Sequence, residues 1–122
     1  GGGIPVIKDE NNRFSGVEAV IDKDLASARL ALDINAEYLL IATGVDGVYL
    51  NYGTPDARFL DELSVEEAVA YLEQGHFPPG SMGPKVEAAV EFLRGGGRAA
   101  IVTSIDNIFS AMNGGRSTWI KR

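Results

Sequence analysis

Apolar residues in this chain follow two patterns. Tyr38-Leu39-Leu40-Ile41-Ala42-Thr43 and Ala99-Ala100-Ile101-Val102-Thr103 are near-continuous apolar runs of strand length, as expected of strands buried on both faces. Elsewhere apolar residues recur at helical spacing: Leu25, Ala28, Ala31 and Leu32, then Val65, Ala68, Val69 and Leu72, then Val86, Ala89, Val90 and Leu93. The first helix is expected to end near Asp33, the second at Gly75 and the third at Gly95-Gly96-Gly97. Ser64 and Glu67 have the spacing of a capping box ahead of the second helix.

Shorter segments complete the order. Residues 4–7 and 17–21 are apolar and predict strands, with polar residues 8–16 between them as a hairpin or excursion. Asp46-Gly47 marks a tight turn into a short strand at 48–50, and Thr54-Pro55-Asp56 another turn. Residues 105–112 predict a short helix, and Gly114-Gly115 turns into a last strand at 117–120. Strands alternating with helices predict an α/β fold, a three-layer α/β/α sandwich with a mainly parallel sheet covered on both faces. Residues 38–43 and 99–103 are its expected neighbouring central parallel strands. The junctions at 22–24, 43–47 and 80–85 are expected along one edge of that sheet.

Composition narrows the partners. A chain of 122 residues, 45% apolar and 23% charged, suits one soluble globular domain. A net charge of −6 argues against a duplex nucleic acid partner, though a local pocket for a nucleotide remains compatible with it. No apolar run approaches the ~18 residues of a membrane span, and no signal peptide is apparent. The absence of cysteine excludes disulfides and thiolate metal sites and agrees with a reducing, cytoplasmic setting. One histidine leaves little for zinc. The opening Gly1-Gly2-Gly3, running straight into an apolar segment, reads as the interior of a larger fold, so a fragment is expected.

Two junctions carry candidate chemistry. In Gly80-Ser81-Met82-Gly83-Pro84-Lys85, Gly83 is expected near a helix N-cap, Pro84 at the first helical position and Lys85 in the first turn. A helix start attracts phosphate through its free N–H groups and dipole, and a lysine there is misplaced unless an anion joins it. The plain alternative is a loop before a surface helix with a solvated lysine. Asp22-Lys23-Asp24 stands where a strand runs into a helix; one aspartate could simply be an N-cap. His76, just past a helix end, reads most simply as a capping or solvated side chain. Neither a Walker A motif nor a Gly-x-Gly-x-x-Gly turn is present, so a phosphate cradle here would be built from lysines and helix starts.

Three stretches resemble a known family. They are Val20-Ile21-Asp22-Lys23-Asp24-Leu25-Ala26-Ser27, Val45-Asp46-Gly47-Val48-Tyr49-Leu50-Asn51-Tyr52-Gly53 and the run from Gly75 through Lys85 to Ala89. With the opening Gly-Gly-Gly-Ile-Pro-Val they are similar, in order, to the carbamate kinases of the amino-acid kinase superfamily. The resemblance implies that residues 1–122 are the C-terminal, nucleotide-binding lobe, with the N-terminal lobe absent. It implies phosphoryl transfer between ATP and carbamate, giving ADP and carbamoyl phosphate, with Mg2+ on the nucleotide. Lys23 and Lys85 would contact the phosphoryl oxygens, and Asp24 would steady both lysines. Thr43, Val45, Asp46, Gly47 and Tyr49, with Met82, Gly83, Pro84 and Lys85, would form the nucleotide site. Another amino-acid kinase with a different acceptor, or a non-catalytic nucleotide-binding domain, remains an alternative. A homo-oligomer is expected, since loss of the other lobe would leave a bare strand edge.

Overall fold

The computed structural model describes residues 3–122, so Gly1 and Gly2 of the opening glycine run lie outside the described residues. The chain begins with an antiparallel hairpin of β1 (Val6–Lys8) and β2 (Phe14–Gly16). Its turn is held by Asp9, whose Oδ1 accepts the Asn11 and Arg13 amides at 2.9 Å, and Asn12 takes the left-handed conformation that asparagine tolerates. The predicted strand at 17–21 is irregular, and β2 forms instead from residues read as turn. Both strands are exposed, so the Asp9 turn selects the pairing and burial has no vote.

Next come α1 (Lys23–Asp33), β3 (Tyr38–Thr43), β4 (Val48–Leu50), β5 (Arg58–Leu60), β6 (Glu62–Ser64), α2 (Val65–Glu73), α3 (Met82–Arg94), β7 (Ala99–Ser104) and β8 (Thr118–Lys121). Ser64 caps α2 as expected, accepting the Glu67 amide while the Glu67 carboxylate accepts that of Ser64. The main sheet runs β3-β7-β8-β6. β3 and β7 are parallel neighbours, as predicted, from Tyr38 opposite Ala99 to Thr43 opposite Ser104. β8 is antiparallel to β7 and parallel to β6, which makes the sheet mixed. β4 does not fold back on β3. It pairs with β5 in a separate two-stranded ribbon, because residues 44–47 carry the chain away from the sheet.

Register explains the core. Leu39, Ala100, Ile120 and Leu63 face one another across the four strands, all buried, with Ile41 beside Val102 in the next row. Side chains two apart on a strand share a face, so this is the face on which Ala28, Ala68, Val86, Ala89 and Leu93 of the three helices close a single core. The opposite face is covered unevenly. Every residue of β7 from Ala99 to Thr103 is buried, but on β3 Tyr38 and Leu40 are half-buried and Ala42 is exposed. β3 is therefore not buried on both faces within this chain, because it forms the edge of the sheet. Phe92, in α3, is the largest of the fully buried side chains; truncating it to Ala would cost about 3–5 kcal/mol.

Residues 105–112 do not make the predicted helix. They form two 3-10 turns, Ile105–Asn107 and Ala111–Asn113. Asn113 and Gly115 both donate to the Ser110 carbonyl at 2.8 Å, tightening the backbone before a left-handed Gly114 turns it into β8.

Candidate functional site

The start of α1 divides the labour between two aspartates. Asp22 is the N-cap: its Oδ1 accepts the amides of Asp24 and Leu25, each at 2.9 Å. Asp24 is thereby free of capping and points at cations. Its Oδ2 accepts a hydrogen bond from Lys85 Nζ at 3.1 Å and lies 3.6 Å from Lys23 Nζ. The two lysines differ in environment. The Lys85 and Asp24 side chains are each 11% exposed, whereas Lys23 is 71% exposed. One nearly buried carboxylate thus holds one nearly buried and one open ammonium.

α3 starts differently from expectation. The helix begins at Met82, with Ser81 as N-cap and no side-chain cap, so Pro84 is the third helical residue and Lys85 the fourth. Pro84 still fits, since the first turn has no intrahelical bond for its missing N–H to lose. The Gly83 amide donates to the Pro78 carbonyl at 2.9 Å, and a Cβ on Gly83 would stand only 3.0 Å from that same oxygen. Glycine is needed here for close approach of the loop. The helix start is consequently poor in free amides, and α1 spends its own on Asp22. Positive charge at this junction comes from Lys85 and Lys23 more than from amides.

At the start of α3, the helix that carries Lys85, lies a cavity of about 210 Å³, lined by Thr43, Gly44, Val45, Gly47, Tyr49, Tyr52, Phe77, Pro78, Ser81 and Met82. Its volume falls below the roughly 300–1,000 Å³ of drug-sized sites, so it suits a ring system and not a whole nucleotide. Five residues predicted from sequence line it: Thr43, Val45, Gly47, Tyr49 and Met82. Asp46, Gly83, Pro84 and Lys85 do not. Sequence reasoning missed Tyr52, Phe77, Pro78 and Ser81 as lining residues; an aromatic-proline pair in the loop ahead of Met82 was the available signal. Lys85 lies one turn beyond Met82 on α3, about 4.5 Å along the axis. Cavity and charged cluster therefore share a helix start.

Asp46 does not line the cavity and belongs to a second cluster. Its Oδ1 accepts the Tyr49 hydroxyl at 2.8 Å and its Oδ2 accepts Nε of Arg116. Partial burial pulls the Asp46 pKa up, but the hydrogen bonds from Tyr49 and Arg116 outweigh it and hold the carboxyl below its ordinary value of 3.8. The Tyr49 hydroxyl and the Asp46 carboxylate beside it raise the Arg116 guanidinium above its ordinary value. His76 departs from the expected capping or solvated side chain: it is half-buried, 3.2 Å from Gln74 Oε1 and edge-on to Tyr71. Among the described residues no three His, Asp or Glu side chains gather as a metal site. None of the helices among them is long and apolar enough to cross a membrane.

The chain is 50% identical to the carbamate kinase of Thermoplasma acidophilum over all 122 residues, which is 40% of that protein's length. It is 47% identical to that of Thermococcus kodakarensis over the same span, 38% of that chain. The carbamate kinase of Giardia lamblia bound to AMP-PNP superimposes with a TM-score of 0.90 at 48% identity, over 98% of this chain and 38% of that one. The chain thus spans about two-fifths of the length of these relatives, and its mixed α/β fold is theirs. The family model for the amino acid kinase family matches residues 2–104, and the chain belongs to that family.

Proposed function

We propose that these residues form the nucleotide-binding part of a carbamate kinase, which moves a phosphoryl group between ATP and carbamate to give ADP and carbamoyl phosphate. One observation carries the reading: Asp24 holds Lys85 and Lys23 at the start of two helices, one turn from a cavity sized for a ring. The adenine would enter between Tyr49, Tyr52 and Met82, and the phosphates would run toward the lysines. Phosphoryl transfer asks for positioning and for neutralisation of charge on the moving oxygens, with little covalent help. Lys85, nearly buried and fixed by Asp24, would be the positioned donor. Lys23, open to solvent, would close on the phosphate as the nucleotide arrives.

The carboxylates present fit a metal that comes with the nucleotide. Asp22 is committed to two amides and Asp24 Oδ2 to two ammonium groups, so these two carboxylates form no metal cage by themselves. Mg2+ bound to the phosphate oxygens would add charge neutralisation there, and Asp24 would orient the lysines around it.

The span is consistent with the C-terminal lobe of a longer kinase, whose remaining part would cover the open face and edge of β3. Carbamate as acceptor rests on similarity to the relatives, and a different acceptor of the same family is the second reading. The test is ATP formation from ADP and carbamoyl phosphate by the full-length protein. Turnover that is lost in Lys85→Ala supports the assignment. Wild-type protein that binds ATP but does not consume carbamoyl phosphate favours the second reading.

A further inference from the structure

The four residues Tyr49, Asp46, Arg116 and Phe59 close a ring of contacts. Tyr49 donates its hydroxyl to Asp46 Oδ1, and Arg116 donates Nε to Asp46 Oδ2. The Arg116 guanidinium lies over the Phe59 ring, 4.0 Å from its centroid. Phe59 meets the Tyr49 ring edge-on, with centroids 5.1 Å apart. The cycle joins three segments distant in sequence: the turn before β4, strand β5 and the approach to β8. Tyr49 is held at both its hydroxyl and its ring, and Tyr49 lines the cavity. Arg116 does not line it.

Thr118, two residues on, ties down the same ribbon from beneath. Fully buried, it accepts the Val48 amide at 2.8 Å and donates to the Leu60 carbonyl at 2.6 Å. The β4–β5 ribbon belongs to no larger sheet, so these contacts fix where its tyrosine stands.

We infer that Arg116 is a positioning residue for the cavity: through Asp46 and Phe59 it sets the Tyr49 wall before a ligand arrives. The inference rests on the reading of the cavity as the adenine site. Pre-ordering a wall spares the ligand the entropy of ordering it, so the effect appears in affinity. A planar guanidinium can donate to a carboxylate and lie flat on a ring at once; an ammonium supplies the charge but not the flat stacking. Arg116→Lys therefore restores only part of the function.

The test is calorimetric titration of the full-length protein with Mg·ATP and, separately, with adenosine, together with melting temperatures and steady-state kinetics. Arg116→Met is expected to raise both dissociation constants by about fivefold, with Arg116→Lys between it and wild type. The loss should be equal for ATP and adenosine because it arises at the ring, and KM for ATP should rise while kcat stays within about twofold. Unchanged adenosine affinity in a folded Arg116→Met or Arg116→Lys protein would overturn the inference, as would a loss confined to ATP. Wild-type protein that binds neither probe would overturn the adenine-site reading and this inference with it; wild-type binding with unaffected variants would overturn the inference alone.

Discussion

Lys85 Nζ stands 3.1 Å from Asp24 Oδ2, across 61 positions of sequence and between the starts of two helices. Both side chains are almost wholly covered. Breaking such a pair strands the remaining charge, so Asp24→Asn should lower the unfolding free energy by about 2–4 kcal/mol in denaturant titrations. Lys23 is a much more exposed partner of the same oxygen, and Lys23→Ala should cost under ~1 kcal/mol. Equal costs for the two would mean that burial does not govern the cluster.

The same three residues should behave differently in kinetics. If Lys85 touches the phosphoryl group as charge moves, Lys85→Ala should cut kcat by about 10²–10³-fold while changing KM for ATP far less. Asp24→Asn should follow the same direction, since it releases both lysines. A Lys85→Ala protein keeping more than about a third of wild-type turnover would leave the lysine as a structural partner of Asp24 only.

Gly47 is fixed by its neighbours. A Cβ there would stand 2.5 Å from Thr118 Oγ1 and 2.6 Å from Phe59 Cε2. The Thr118 hydroxyl is committed to the Val48 amide and the Leu60 carbonyl, so it cannot yield cheaply. Gly47→Ala should destabilise by about 1–3 kcal/mol and displace the Tyr49 wall. Thermal melts, with adenosine binding measured alongside, would check both parts.

Much of this was legible in the residues, for identifiable reasons. Apolar runs gave β3 and β7 and their parallel pairing, and the Ser64 and Glu67 spacing gave the α2 cap, because each depends on local pattern. The three helices were likewise readable from their apolar spacing. β5 and β6 were not, because three-residue strands such as Arg58–Leu60 carry no period of their own. α3 starts two residues earlier than expected, where the Gly83 amide bonds back to the Pro78 carbonyl, a loop closure that residue types alone do not reveal. Resemblance singled out Lys23, Asp24 and Lys85, and the structure brings them together; Asp46 does not line the cavity and instead joins Tyr49 and Arg116 in a clamp beside it. Arg116 was invisible as part of that clamp, since nothing in sequence ties it to Asp46, 70 positions away.

Acid should loosen the clamp. The folded-state pKa of Asp46 lies below its ordinary value, so the carboxylate contributes stability that is present above about pH 4 and lost as pH falls through the lower, folded value. Arg116 stays charged throughout. The gap in melting temperature between wild type and Asp46→Asn, open at pH 7, should therefore close as pH drops below about 4. A gap that stayed constant down to pH 2.5 would mean that the carboxylate's charge contributes nothing to the clamp.

The proposed site divides a nucleotide between an apolar cavity for the ring and a lysine cluster for the phosphates. The most direct measurement is calorimetric titration of wild-type and Lys85→Ala full-length protein with Mg·ATP and with adenosine. On this account Lys85→Ala loses about tenfold or more in affinity for Mg·ATP, while its affinity for adenosine matches wild type. Equal affinity of both proteins for Mg·ATP, or an equal loss for both ligands, would contradict it.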